Sequence, residues 1–147
     1  MRIAVIADTH DRLPRRVLAA ISTADEIWHL GDVCDDSIER ALLVTNVPLR
    51  VVRGNCDSNL AWPLALDFTL EGFRIHLVHI PPAVAPPGID LLFHGHTHVP
   101  RHEVVGTTRF HNPGCITRPN RGAPASYAWL ELVNGGAPTW SLRYVES

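Results

Sequence analysis

Phe93-His94-Gly95-His96-Thr97-His98 closes an apolar run, Ile89 to Phe93, with three histidines spaced two apart. If that run is a buried strand, side-chain alternation at its end aims His96 and His98 to one side. Gly95, just before them, lets the backbone approach closely. Imidazoles converging on one point form a metal-ligand pattern that suits zinc, manganese, nickel or iron alike. The competing reading is a polar strand end with incidental histidines. Acidic partners elsewhere in the chain decide between the two.

Working outward, Arg2-Ile3-Ala4-Val5-Ile6-Ala7 reads as a strand covered on both faces, and it runs into Asp8-Thr9-His10. Pro14 suits a first helical turn, with Val17, Leu18 and Ile21 at helical spacing through Thr23. Glu26 to Leu30 is a second buried strand, stopped by Gly31-Asp32. Asp35 or Asp36 caps a second helix reaching Val44. Leu49 to Arg53 is a third strand, followed by Gly54-Asn55-Cys56-Asp57. Strands alternating with helices argue an α/β start with right-handed crossovers, in which ligands bind beyond the carboxyl ends of the strands.

From Leu66 the pattern changes. Asp67–Leu70, Glu71-Gly72 and Phe73–His79 read as a hairpin with a two-residue turn, its second strand ending on His79. Pro81 to Gly88 holds four prolines and reads as a short, stiff loop, because each proline removes a donor and clashes with a preceding helical turn. Arg101–Val105 with Thr108–His111, and Tyr127–Val133 with Thr139–Val145, suggest two further hairpins.

Size and composition allow one domain, 1–147, with a core of its own. Hydrophobic residues make up 46% and charged residues 19%, an ordinary globular mix that argues against disorder. The net charge of −2 leaves no electrostatic footprint for nucleic acid or an anionic membrane. Cys34, Cys56 and Cys115 are too scattered for a disulfide framework. No apolar run approaches the length of a membrane span or a signal-peptide core, so a reducing cytoplasmic location is the expectation.

Collected, the strand ends carry Asp8 and His10, Asp32, Asn55, His79, and His96 with His98. Singly, each has an ordinary explanation: an Asp after a strand is commonly a turn or cap residue, and Asn55 fits a left-handed turn after Gly54. Five strand ends each supplying a ligand type is hard to obtain by chance. Two aspartates, four histidines and an asparagine suffice for two metal ions if one carboxylate bridges. Paired ions are a common arrangement for displacement at phosphorus.

Asp8-x-His10, Gly31-Asp32, Gly54-Asn55-Cys56-Asp57, His79 and Gly95-His96-Thr97-His98 resemble, in order and spacing, the calcineurin-like metallophosphoesterases. The Gly-Asn-Cys-Asp form, the small size and Asn112-Pro113-Gly114 with Arg118-Pro119 resemble the compact bacterial and archaeal phosphodiesterase branch, relatives of the retromer scaffold subunit. The resemblance implies a four-layer α/β sandwich of two mixed β-sheets flanked by helices. It implies that Asp8, His10 and His98 bind one divalent ion, that Asn55, His79 and His96 bind a second, and that Asp32 bridges. It further implies catalysis resting on Asp32, Asn55 and His96, with a dimetal-bound hydroxide attacking phosphorus in line. Manganese is the first choice of metal, with nickel, iron or zinc as alternatives.

The sequence departs from the family pattern in four places. Cys56 stands where many relatives carry a histidine that assists the leaving group, and it reads as a small packed turn residue. Ile80 replaces the glycine that usually follows His79. The segment from His79 to His94 is short and proline-rich where relatives commonly place a helix, and Cys115 replaces a serine. His29 and His94 read as core residues or as groups orienting a ligand. His76, His102 and His111 read as structural or surface residues. Trp28 and Trp62 read as core, and Arg12, Arg53 and Arg118 as solvated surface.

The function expected is a metal-dependent phosphoesterase acting on a small phosphate ester, favouring diesters. The alternative is a non-catalytic metal-binding interaction scaffold, as the retromer relative suggests. An exposed hairpin edge permits a homodimer.

Overall fold

The computed structural model describes residues 1–145. Glu146 and Ser147, counted in the 1–147 domain expectation, lie outside the described residues. Ten strands and two helices follow in the order β1 Arg2–Ile6, α1 Arg15–Ile21, β2 Glu26–His29, α2 Asp36–Val44, β3 Leu49–Val51, β4 Ala65–Leu70, β5 Phe73–Val78, β6 Leu91–Phe93, β7 Arg101–Val105, β8 Thr108–Asn112, β9 Ser126–Glu131 and β10 Thr139–Tyr144.

The strands form two mixed five-stranded sheets, ordered β10-β9-β1-β2-β3 and β4-β5-β6-β8-β7. In the first, β1 and β2 pair in parallel with Ile3 opposite Glu26, and β2 pairs in parallel with β3. In the second, the β4–β5 hairpin turns on Glu71 and Gly72, whose φ values of 51° and 82° match the two left-handed positions a tight hairpin needs. Parallel pairs β5–β6 and β6–β8 follow. The helix boundaries follow local chemistry. Pro14 precedes α1 in extended conformation, and the side chain of Asp35 accepts the Ser37 N–H to cap α2.

Alternation along the strands sorts the apolar residues into layers. Ile3 and Val5 of β1 and Ala7 just beyond it face the second sheet with Trp28, Leu30, Ala128 and Leu130, meeting Ile75, Leu77, Leu91 and Phe93. Trp28 packs edge-on against Phe93 and Phe68, with ring centroids 5.3 and 5.5 Å apart. Ala4, Ile6 and Ile27 face the other way, onto Val17 and Ile21 of α1 and Ile38 and Leu42 of α2. Each fully buried Val, Leu or Ile among them contributes about 1.5–3 kcal/mol of transfer free energy.

The expected sandwich of two mixed sheets is present, but both helices lie against the first sheet. Over the outer face of the second, Ala85 of the proline-rich segment packs on the Ile89–Leu92–Phe110 cluster, and no helix covers it among the described residues. The fourth layer is thus reduced to a loop, as the prolines require. Trp28 is fully buried and Trp62 partly so, on the helix side.

Candidate metal centre

The strand ends that carry the seven candidate residues meet along one rim. Asp8 and His10 follow β1, Asp32 follows β2 and Asn55 follows β3, all from the first sheet. His79 follows β5, and His96 and His98 follow β6, from the second. Packing the sheets face to face therefore brings together residues as far apart in sequence as Asp8 and His98.

Strand alternation is not what aims these side chains. The strands stop at Ile6 and Phe93, before the candidate residues begin. Asp8, His10, Asp32, His96 and His98 all adopt left-handed backbone, with φ between 52° and 72°. Such conformations cost on the order of 1–3 kcal/mol each and persist only where surrounding structure imposes them. Here the loops hold one another: Asp8 N–H donates to the Gly31 carbonyl, His10 N–H to that of Asp32, and Gly95 N–H to that of His79. The His96 N–H donates to Asp8 Oδ2 at 3.1 Å. His96 and His98 consequently diverge instead of reaching a single point.

Two groups result. Asp8 Oδ1 lies 3.4 Å from His98 Nε2, which is 3.3 Å from His10 Nε2. On the other side His79 Nε2 lies 3.3 Å from Asp32 Oδ2 and 3.0 Å from Asn55 Oδ1, and His96 Nδ1 is 3.2 Å from the same Asn55 oxygen. Both carboxylates stand between the groups. Asp8 Oδ1 is 3.8 Å from His79 Nε2, and Asp32 Oδ2 is 4.0 Å from His10 Nε2.

The donor set fits a cation. His79 Nδ1–H donates to the Leu30 carbonyl at 2.7 Å and His98 Nδ1–H to that of Arg118 at 2.6 Å, leaving each Nε2 as an inward-facing lone pair. Asp8 Oδ1 is buried with no hydrogen-bond partner, the one such side-chain atom among the described residues. Lone pairs and an orphaned carboxylate oxygen within 4 Å of one another repel unless a positive charge lies among them.

The titration pattern of the bare chain carries the same imprint. Desolvation raises Asp8 to about 6, against the opposing pull of His79 and His98. Desolvation also works to raise Asp32, but the His79 hydrogen bond and the Cys56 N–H outweigh it and hold Asp32 well below the usual carboxylate range. For His79 the desolvation penalty is overcome by Asp32 and Asp8, and its pKa rises; His10 is lowered, chiefly by desolvation.

Close backbone approach explains the glycines. A Cβ on Gly54 would lie 2.1 Å from Asp32 Oδ1, and one on Gly95 would lie 2.8 Å from Asp8 Oδ2.

Supporting residues divide the remaining histidines. His29 is fully buried, and desolvation lowers it to about 3, so it is neutral. Its Nδ1 accepts the Gly31 N–H, which places the proton on Nε2 for donation to Thr9 Oγ1 at 2.9 Å; Thr9 in turn donates to the Val33 carbonyl. That chain ties the Asp8–His10 loop to the Asp32 loop. His94 is buried, donates from Nδ1 to the Gly95 carbonyl and meets Arg101 through Nε2. His111 is buried and stacked on Phe93, His76 is paired with Asp67, and exposed His102 stacks on His111.

Sequence reasoning passed over Asp57. Its carboxylate accepts the N–H groups of Asp32, Cys34 and Gly54, clamping the second and third strand-end loops together. The signal was its place in Gly54-Asn55-Cys56-Asp57, where an acidic residue three past a glycine can reach back to free amides. Cys56 corrects an expectation: it is exposed, not packed, and sits beside exposed Cys34. Cys115 is buried, and its thiol donates to the Asp8 carbonyl at 3.2 Å. Asn112 bonds the Gly95 carbonyl and Thr97 Oγ1, so the Asn112-Pro113-Gly114 turn braces the histidine loop.

Comparison with known proteins gives the family and the fold. Residues 1–135 match the calcineurin-like phosphoesterase superfamily domain. The phosphodiesterase YfcE of Escherichia coli is 32% identical over 161 aligned positions, covering 89% of this chain and 88% of that one. Its solved structure superposes with a TM-score of 0.79 at 28% identity, over 99% of this chain and 100% of that one. The zinc complex of Vps29 from Entamoeba histolytica superposes at 0.78 and 22% identity, over 98% and 99% of the two chains, and shares the fold. The chain belongs to the calcineurin-like phosphoesterase superfamily.

Proposed function

We propose that this protein is a phosphodiesterase working with two divalent transition-metal ions, manganese first among them, on a small phosphate ester. The observation that supports this most directly is the buried, unpartnered Asp8 Oδ1 facing the Nε2 lone pairs of His98 and His79. Asp8, His10 and His98 would hold one ion, and Asn55, His79 and His96 the other, with Asp32 between them. Held there, such ions would lower the pKa of a water for in-line attack and would neutralise phosphoryl oxygens.

The chain's own residues set the geometry. The Leu30 and Arg118 carbonyls fix the tautomers of His79 and His98. Asn55, with Oδ1 turned toward His79 and His96, presents Nδ2 for donation to a phosphoryl oxygen. Asn55 and His96 are exposed, so substrate enters on their side and solvent protonates the leaving alkoxide. Manganese or nickel added to metal-free protein should give hydrolysis of an aryl phosphodiester, and Asp32→Ala or His96→Ala should remove it. Activity that survives both substitutions and exhaustive chelation ends this reading.

A second reading, an interaction scaffold without catalysis, draws on Ile80 and Val84, exposed apolar residues of the segment that replaces the fourth layer. A purified protein that retains no metal and captures a stoichiometric partner through that segment would favour it. No helix among the described residues is long and apolar enough to cross a membrane.

A further inference from the structure

We propose that Cys34, Cys56 and Nδ1 of His10 form a separate site for a soft, thiophilic cation such as Zn²⁺ or Cd²⁺ at the rim of the carboxylate–histidine centre. The two sulfurs and the histidine nitrogen lie within 4.8 Å of one another. Cys34 Sγ is 3.5 Å from His10 Nδ1. A tetrahedral ion with M–S of about 2.3 Å and M–N of about 2.0 Å requires a sulfur–nitrogen separation of about 3.5 Å. Cys34 and His10 already stand at that separation, Cys56 lies within reach of both, and the exposure of both cysteines leaves the fourth position to solvent.

The backbone holds this arrangement without the ion. Cys34 is fixed in left-handed conformation at φ 65°, with its N–H on Asp57 Oδ1, and Cys56 N–H sits on Asp32 Oδ1. Two thiolates and an imidazole select a softer ion than the carboxylate, amide and imidazole set next door. Binding displaces the two thiol protons to solvent, so a divalent ion leaves the site electrically neutral.

His10 links the two sites. Its Nε2 faces His98 and Asp32, whereas its Nδ1 faces Cys34. A neutral imidazole carries one lone pair and one N–H. An ion at the thiols takes the Nδ1 lone pair, and the proton then sits on Nε2, pointing into the other centre as a donor. The thiol site therefore antagonises the ion that His10, His98 and Asp8 would hold. This last consequence rests on the phosphodiesterase reading; the site itself does not.

Cadmium titration of the reduced protein tests both parts, followed by the sulfur-to-cadmium charge-transfer absorption in the ultraviolet. One equivalent should develop the thiolate band in the wild type and in Cys115→Ser. The double variant Cys34→Ser/Cys56→Ser should lack it, keep its far-ultraviolet circular dichroism, and retain manganese-dependent turnover. Cadmium should inhibit the wild type at concentrations at least roughly tenfold lower than it inhibits the double variant. No band in wild type with both thiols free would overturn the proposal, as would a band that survives in the double variant. A wild-type band in a protein that hydrolyses no phosphodiester would support the thiol site and overturn the phosphodiesterase reading.

Discussion

The rim of strand ends and the interior of the sandwich both contain histidines, and they use them in opposite ways. At the rim, His79 and His98 give one nitrogen to a backbone carbonyl and turn the other inward as a lone pair. His10, His96 and His98 sit on left-handed backbone. In the interior, His29, His94 and His111 are buried and held neutral by desolvation, at about 3, 4 and 3. His29 and His94 use both nitrogens within the protein, and His111 is stacked between neighbouring rings. The difference teaches that a histidine's role here follows from what its second nitrogen meets, and burial alone does not reveal that.

The division can be broken at its strongest point first. Asp32→Ala removes a carboxylate that stands between the two groups, and the loss of several kcal/mol of charge stabilisation should lower kcat/KM by at least about a thousandfold. Circular dichroism should stay native. A variant that keeps a tenth of wild-type turnover would remove Asp32 from the centre.

Gly54→Ala tests whether the rim is as tightly built as the distances say. The new Cβ must displace Asp32, and a misplacement of about 1 Å should cost on the order of a hundredfold in turnover. Wild-type kinetics would mean that the third strand-end loop yields freely.

Thr9→Val is a smaller perturbation at the boundary between the regions. It leaves the His29 Nε2–H without its acceptor and loosens the tie between the Asp8 and Asp32 loops. Manganese affinity, read by calorimetry, should fall roughly 10-fold, and stability in urea by about 1–3 kcal/mol. An unchanged affinity would make His29 a packing residue only.

The interior should show itself in stability and leave turnover near wild type. His111 has a folded pKa lowered from 6.5 to about 3, so the unfolded chain binds a proton that the folded one refuses. Its contribution is fully present above pH 6.5 and is lost as pH falls toward 3. Asp8 in the metal-free protein acts in the reverse sense: raised to about 6, it costs stability as pH climbs from about 4 through 6. The difference between wild type and His111→Phe, measured in urea across pH 4 to 7, isolates the histidine. It should change by several kcal/mol, with wild type losing more on acidification and both proteins turning over within about twofold. Parallel pH curves would show that His111 titrates normally.

Much of this was legible in the chain itself, because local rules govern it. Strand periodicity, the Asp35 cap and the Glu71-Gly72 turn each depend on neighbours within a few residues, and those elements appeared where the signals put them; Pro14 stands just outside the first turn, at the N-cap of α1, and that helix ends at Ile21, short of the expected Thr23. The proline-rich segment was also readable as a loop, and the missing fourth layer follows from it. Strand lengths were overestimated at the rim: Leu49 to Arg53 ends at Val51, because Arg53 already belongs to the loop, where its N–H reaches the Pro63 carbonyl.

The sequence by itself determined which residue types stand at the strand ends, and in what order. It could do so because apolar runs and the polar residues that stop them are contiguous. Only the tertiary structure decided how those residues face one another. It placed Asp8 as well as Asp32 between two groups, made Asp57 a clamp, and brought Cys34 and Cys56 to His10. Each of these depends on two sheets closing over a shared core. The aim of a side chain on left-handed loop backbone is set by bonds to loops 20 to 90 residues away, as with Asp8 and His96 at a separation of 88, and no local pattern encodes it.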